Sequence, residues 1–145
     1  MTFAWILSTP SGKRLAKGMG PCNGRPSSLR SEAAAMLAVS LFIGMIQEFT
    51  NYAFTNIRVS FAADNLSLIR RHTDHLDYNR CYPNLTLAPE FDLTEQTYQT
   101  HLKYHIEASF VHVKGHQDST QEITKLPLLA QLNIEADQLA GLYYS

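Results

Sequence analysis

Several absences narrow the reading before any motif is considered. The 145 residues include only two cysteines, Cys22 and Cys81. They form no CxxC or Cys/His cluster, which excludes a disulfide framework and a cysteine-built zinc site and fits reduced thiols. Charge is sparse at 17% and nearly balanced at a net −1. The chain therefore lacks both the charge density of a disordered segment and the global basic excess typical of nucleic-acid binders. No GxSxG, GxxxxGK[ST] or GxGxxG segment occurs, so serine-hydrolase, P-loop and dinucleotide readings have no support. The longest apolar stretch, Ala33 to Ile46, is broken by Ser40 and Gly44 and is shorter than the roughly 20 residues of a bilayer span. A brief apolar start, cut by Pro10, Gly12 and Lys13, is too short for a signal-peptide core. The expectation is a cytoplasmic or nuclear protein that is not secreted and has no membrane partner, with accidental sequons at Asn65 and Asn84.

What is present is enough for one core. A hydrophobic fraction of 45% over this length predicts a single domain spanning 1–145. Residues 1–31 hold Lys13, Arg14, Lys17, Arg25 and Arg30 and no acid, so a basic N-terminal surface is expected. Strand-forming residues at Thr2 to Ser8, a Thr9-Pro10-Ser11-Gly12 turn and a second extended run, Lys13 to Cys22, predict a hairpin. Ser27 or Ser28 can cap a helix over Glu32 to Glu48, apolar on most sides with a narrow polar stripe of Ser40, Gly44, Gln47 and Glu48. Ile57 to Asp64 alternates as a strand, and Asn65 can cap a helix from Leu66 to about Leu76. A loop over Asp77 to Pro89, a helix over Leu93 to Tyr104, a strand over Ile106 to Val113, a long connection from Gln117 to Leu132 and a helix over Asn133 to Tyr143 complete the pattern. That order predicts an α/β fold with a mixed sheet flanked by helices.

Four polar residues sit at element ends or inside apolar runs: Glu32, Asp64, His116 and Asp137. Carboxylates from separate elements meeting at a sheet end suit a two-metal phosphodiesterase, because Mg2+ prefers hard oxygen ligands and keeps several waters. Each also has an ordinary structural explanation. Glu32 and Asp137 near helix starts are favoured by the macrodipole, Asp64 fits a strand-to-helix turn, and His116 fits a loop beside a glycine. His72 with His75, and His101 with His105, share helical faces at Zn2+-compatible spacing, but without cysteine or HExxH partners they read as surface histidines. Asp118 and Glu122 read as a solvated loop.

The segments around these residues resemble, in order, those of the ribonuclease H-like domain of retroelement reverse-transcriptase polyproteins. Ser28-Leu29-Arg30-Ser31-Glu32-Ala33-Ala34 looks like the segment carrying that family's second acidic residue, and Ser60-Phe61-Ala62-Ala63-Asp64-Asn65 like the strand ending in its third. Val111-His112-Val113-Lys114-Gly115-His116 is similar to the segment with the mobile histidine. Asn133-Ile134-Glu135-Ala136-Asp137-Gln138-Leu139-Ala140 is similar to the last helix. The resemblance implies that Glu32, Asp64 and Asp137 hold Mg2+ or Mn2+, that Asp64 handles the nucleophilic water, and that His116 assists proton transfer or product departure. It further implies substrate contacts from Asn133, Arg30 and Asn65. The implied partner is an RNA-DNA hybrid, gripped by shape and 2′-hydroxyls, and the implied context is a larger polyprotein.

Two departures accompany the resemblance. The gap from His116 to Asn133 contains Leu126-Pro127-Leu128-Leu129-Ala130, as in the polyprotein members. The family also opens on a central strand ending in its first catalytic Asp, whereas Met1 to Trp5 already resembles the second strand. The expectation is therefore an N-terminally truncated ribonuclease H-like fold whose Mg2+-dependent cleavage of RNA in hybrids is impaired. The competing expectation is a non-catalytic nucleic-acid or protein interaction module that kept the fold. An exonuclease or integrase relative comes third, and Lys114-Gly115-His116 argues against it.

Overall fold

A computed structural model describes residues 1–24, 27–50, 57–78, 90–115 and 122–142, with 75–78 as backbone alone. Strands β1 (Thr2–Ser8) and β2 (Arg14–Pro21) form the expected antiparallel hairpin. Its turn depends on Gly12, at φ 102, and on Thr9, whose Oγ1 accepts the Lys13 N–H at 3.0 Å. Helix α1 (Ser28–Thr50) begins where Ser27 Oγ accepts the Arg30 N–H at 3.0 Å, as a capping serine does. Strand β3 (Ile57–Ala63) is followed by Asn65, whose Oδ1 accepts the Leu68 N–H and caps α2 (Leu66–Tyr78). Helix α3 (Phe91–Lys103) leads into β4 (Ile106–His112), a 3-10 turn at Ile123–Lys125 precedes α4 (Leu128–Leu142), and β3 pairs parallel with β4. The element order is the predicted one. Of the expected loop after Asp77, positions 79–89 lie outside the described residues.

The mixed α/β character is as expected, but the strands form two separate two-stranded sheets, one antiparallel and one parallel, where the element order suggested one mixed sheet. Apolar clusters lie on both faces of β3. Phe61 and Ala63 join Met36, Val39 and Ile43 of α1 on one side, while Ala62 joins Ala130 and Ile134 of α4 on the other. Alternation along β3 is what sends neighbouring residues into different clusters.

Helix α1 buries most of its polar stripe. Ser40, Gly44 and Gln47, three of the four residues of the predicted polar stripe, are buried, while Leu41, Met45, Ile46 and Phe49 are exposed. The reason is α3, which lies against that stripe. Ser40 meets His101, Gln47 Nε2 donates to Tyr104 O at 3.0 Å, and Gly44 leaves room for the Tyr104 ring. The inner face of α3 is itself polar, with buried Thr94, Thr97 and Thr100 returning their hydroxyls to carbonyls of their own helix. By length and composition alone, the 23 residues of α1 are apolar enough to cross a membrane, yet one side packs on β1 and α3.

His72 and His101 are not surface residues. They are 3% and 7% exposed and stack against Phe110, with Phe61 beside His101. His101 Nε2 pairs with Ser40 Oγ at 2.8 Å, and that hydroxyl donates to Met36 O. Burial pushes His101 down to about 4 from 6.5. Below pH 6.5 the unfolded chain takes up a proton here, and the folded chain does so only near 4. Stability should therefore fall by up to about 3 kcal/mol as pH drops through that window. Thermal melts followed by circular dichroism should show the slope, and His101→Gln should flatten it.

Candidate functional site

Three elements bring Glu32, Asp64 and Asp137 to one end of the molecule. Glu32 lies beyond the first turn of α1, which holds no acid. Asp64 follows the last residue of β3. Asp137 lies in the third turn of α4, because that helix starts at Leu128 and not at Asn133 as expected. Neither Glu32 nor Asp137 is thus in a helix's first turn, where the macrodipole would account for it.

The hydrogen bonds orient the strands around this end. Ser31 Oγ donates to Thr2 O at the start of β1, and the neighbouring Glu32 carboxyl reaches Asp64 at the end of β3. Farther along α1, Trp5 packs on Phe42 with ring centroids 5.0 Å apart. β1 therefore runs along α1 and β3 runs against it. Gly115 lies over Asp64, where a Cβ would stand 2.8 Å from Oδ2, so glycine permits the close approach.

The cluster is electrostatically strained. Burial, then the Asp64 carboxyl, then the charge of Asp137 push the Glu32 carboxyl up to about 9, against a smaller opposing effect of the Asp64 backbone N–H. Glu32 Oε2 is buried with no donor reaching it. A proton shared with Asp64, or a cation, relieves that arrangement. Asn133 Nδ2, one turn before Asp137, is also buried without an acceptor. Hard oxygens at this density suit a divalent ion that keeps part of its water, although no three His, Cys, Asp or Glu groups among the described residues cluster tightly enough to hold a metal as they stand.

Other expected site residues are placed differently. Arg30 is held by Glu90 at 2.5 Å and Asp92 at 3.2 Å, and donates to Asn23 O. Asn65 spends its side chain on the α2 cap. Of the basic N-terminal stretch, Arg14 pairs with Glu135 at 2.7 Å, Lys13 and Lys17 are exposed, and Arg25 lies outside the described residues. His116 and Asp118 also lie outside them, and Glu122 is exposed, 3.9 Å from Lys125. Sequence reasoning missed the role of Gly115, for which its position next to His116 was the available signal. It also missed the anchoring acids Glu90 and Asp92, for which local sequence carried none. The chain matches no known protein-family model, and no curated protein is detectably similar to it in sequence.

Proposed function

We propose that this chain is a ribonuclease H-like domain of retroelement origin, ancestrally a Mg2+- or Mn2+-dependent endonuclease acting on the RNA strand of RNA-DNA hybrids. The observation that carries the reading is the meeting of Glu32, Asp64 and Asp137, far apart in sequence, at the end of β3. The order of strands and helices and the parallel β3–β4 pair also support it. In this reading Asp64 orients the attacking water, Glu32 and Asp137 complete the carboxylate set, and Asn133 offers its amide to the substrate backbone. A divalent ion, when bound, would supply charge neutralisation and a more acidic water. The raised pKa of Glu32 favours a second reading, a non-catalytic module that keeps the fold, because a protonated Glu32 hydrogen-bonded to Asp64 lowers the repulsion at this end without an ion.

A labelled RNA-DNA hybrid separates the two. Slow cleavage that requires Mg2+ or Mn2+ and falls at least ~100-fold in Asp64→Asn is expected. Unchanged cleavage in that variant rejects the proposed site, and hybrid binding without cleavage under either ion favours the module.

A further inference from the structure

We propose that the outer face of α1 docks on the same face of a second copy of this chain, the two helices lying antiparallel about a two-fold axis. Ala34, Ala38, Leu41, Met45 and Phe49 follow one another at steps of three and four residues and so share one side of the helix. It is the side opposite Ser40, Gly44 and Gln47, which α3 covers. Met45 is 64% and Phe49 93% exposed, and Leu41 and Ile46 are also open to solvent. The cavity between β1 and β3 is lined from α1 by Ser31, Glu32, Ala35, Met36 and Val39. The stripe is therefore separate from the carboxylate site, and the inference is independent of the nuclease reading.

Shape, area and charge together single out a second copy. The stripe tapers from alanines near the start of α1 to methionine and phenylalanine near its end. In an antiparallel pair the bulky end of each helix meets the small end of the other, Phe49 over Ala38 and Met45 against Leu41, so one surface supplies both halves of the fit. Leu41, Met45, Ile46 and Phe49 expose roughly 500 Å² per copy, taking about 200 Å² for each side chain when fully open. Two copies thus bury about the 1,000 Å² that a specific contact needs, which makes the association weak, with Kd in the micromolar range. From Ala33 to Gln47 α1 carries no charge, so burying this face against itself leaves no ion unpaired. A lipid surface calls for cations along such a helix, but the charges on α1 are Arg30, Glu32 and Glu48 alone. Arg30 is held by Glu90 and Asp92, and Glu48 lies 3.8 Å from Lys103.

Sedimentation equilibrium of the full chain is the test. The mass should rise from 16.3 kDa toward twice that value between about 5 and about 500 µM, the span set by an interface of this size. Because the contact holds no ion pair, added salt should not weaken it. Met45→Glu and Phe49→Ala, both at side chains exposed in the single chain, should each weaken association at least ~tenfold. Leu15→Glu, at an equally exposed position on β2, should leave it unchanged. Mixed Leu41→Lys and Met45→Glu chains should pair at least ~tenfold more tightly with each other than either does with itself, because antiparallel packing opposes the new charges. A chain still monomeric at about 500 µM, association that survives both Met45→Glu and Phe49→Ala, equal loss in Leu15→Glu, or no preference in the mixture overturns the proposal. So does a chain that stays monomeric yet binds phosphatidylcholine vesicles through Met45, which would give this face to lipid.

Discussion

Glu32→Gln is expected to stabilise the chain at pH 8 and to erase its stabilisation by Mg2+. Removing a partly buried polar group ordinarily destabilises, so the sign is diagnostic. The folded carboxyl, held up to about 9, keeps a proton that the unfolded one gives up near 4.5. Its favourable contribution is complete below pH 4.5 and is lost as pH rises toward 9. At pH 8 the proton that folding must take up costs about 2 kcal/mol, after discounting the shift for screening at a site open to solvent. Glutamine removes the charge and can donate to Asp64. Thermal melts should show the variant's advantage at pH 8 and its disappearance at pH 5. At a hundredfold excess of Mg2+ over Kd the unaltered chain gains about 2.7 kcal/mol, and the variant should gain almost none. A variant less stable than the parent at pH 8, or one equally stabilised by Mg2+, contradicts the account of this site.

The second large effect is Gly44→Ala, expected to destabilise by about 2 kcal/mol. In an exposed helix interior the same change stabilises by about 1 kcal/mol. Here a Cβ would come well inside 3.0 Å of the Tyr104 ring, and that ring cannot retreat freely. Its hydroxyl donates to Glu48 Oε1 at 2.5 Å and its backbone carbonyl accepts from Gln47. The α1–α3 contact must open, disturbing the Ser40–His101 pair. Urea denaturation measures the difference, and a rise in the midpoint would show that α3 yields at little cost.

Much of the architecture was legible because its signals are local. Alternation marked β3 and β4, Asn65 capped α2 as read, and Gly12 closed the hairpin. The start of α4 was placed too late, since Leu128 to Leu132 reads equally well as an apolar connection until Ala130 and Ile134 find Ala62 and Val113. The polar stripe of α1 was legible as a stripe, but not what covers it, because periodicity identifies a face without naming its neighbour. His72 and His101 were misread for the same reason, as Phe110 reaches them only in the folded chain.

By itself the sequence determined the succession of strands and helices and the identity of the acidic residues, because propensity, capping and alternation act over a few neighbouring residues. Only tertiary structure decided that Glu32 meets Asp64, that Arg30 is spent on Glu90 and Asp92, and that two sheets face each other across a gap. Those outcomes depend on which surfaces pack together, and burial and charge coupling between distant segments exist only after that packing.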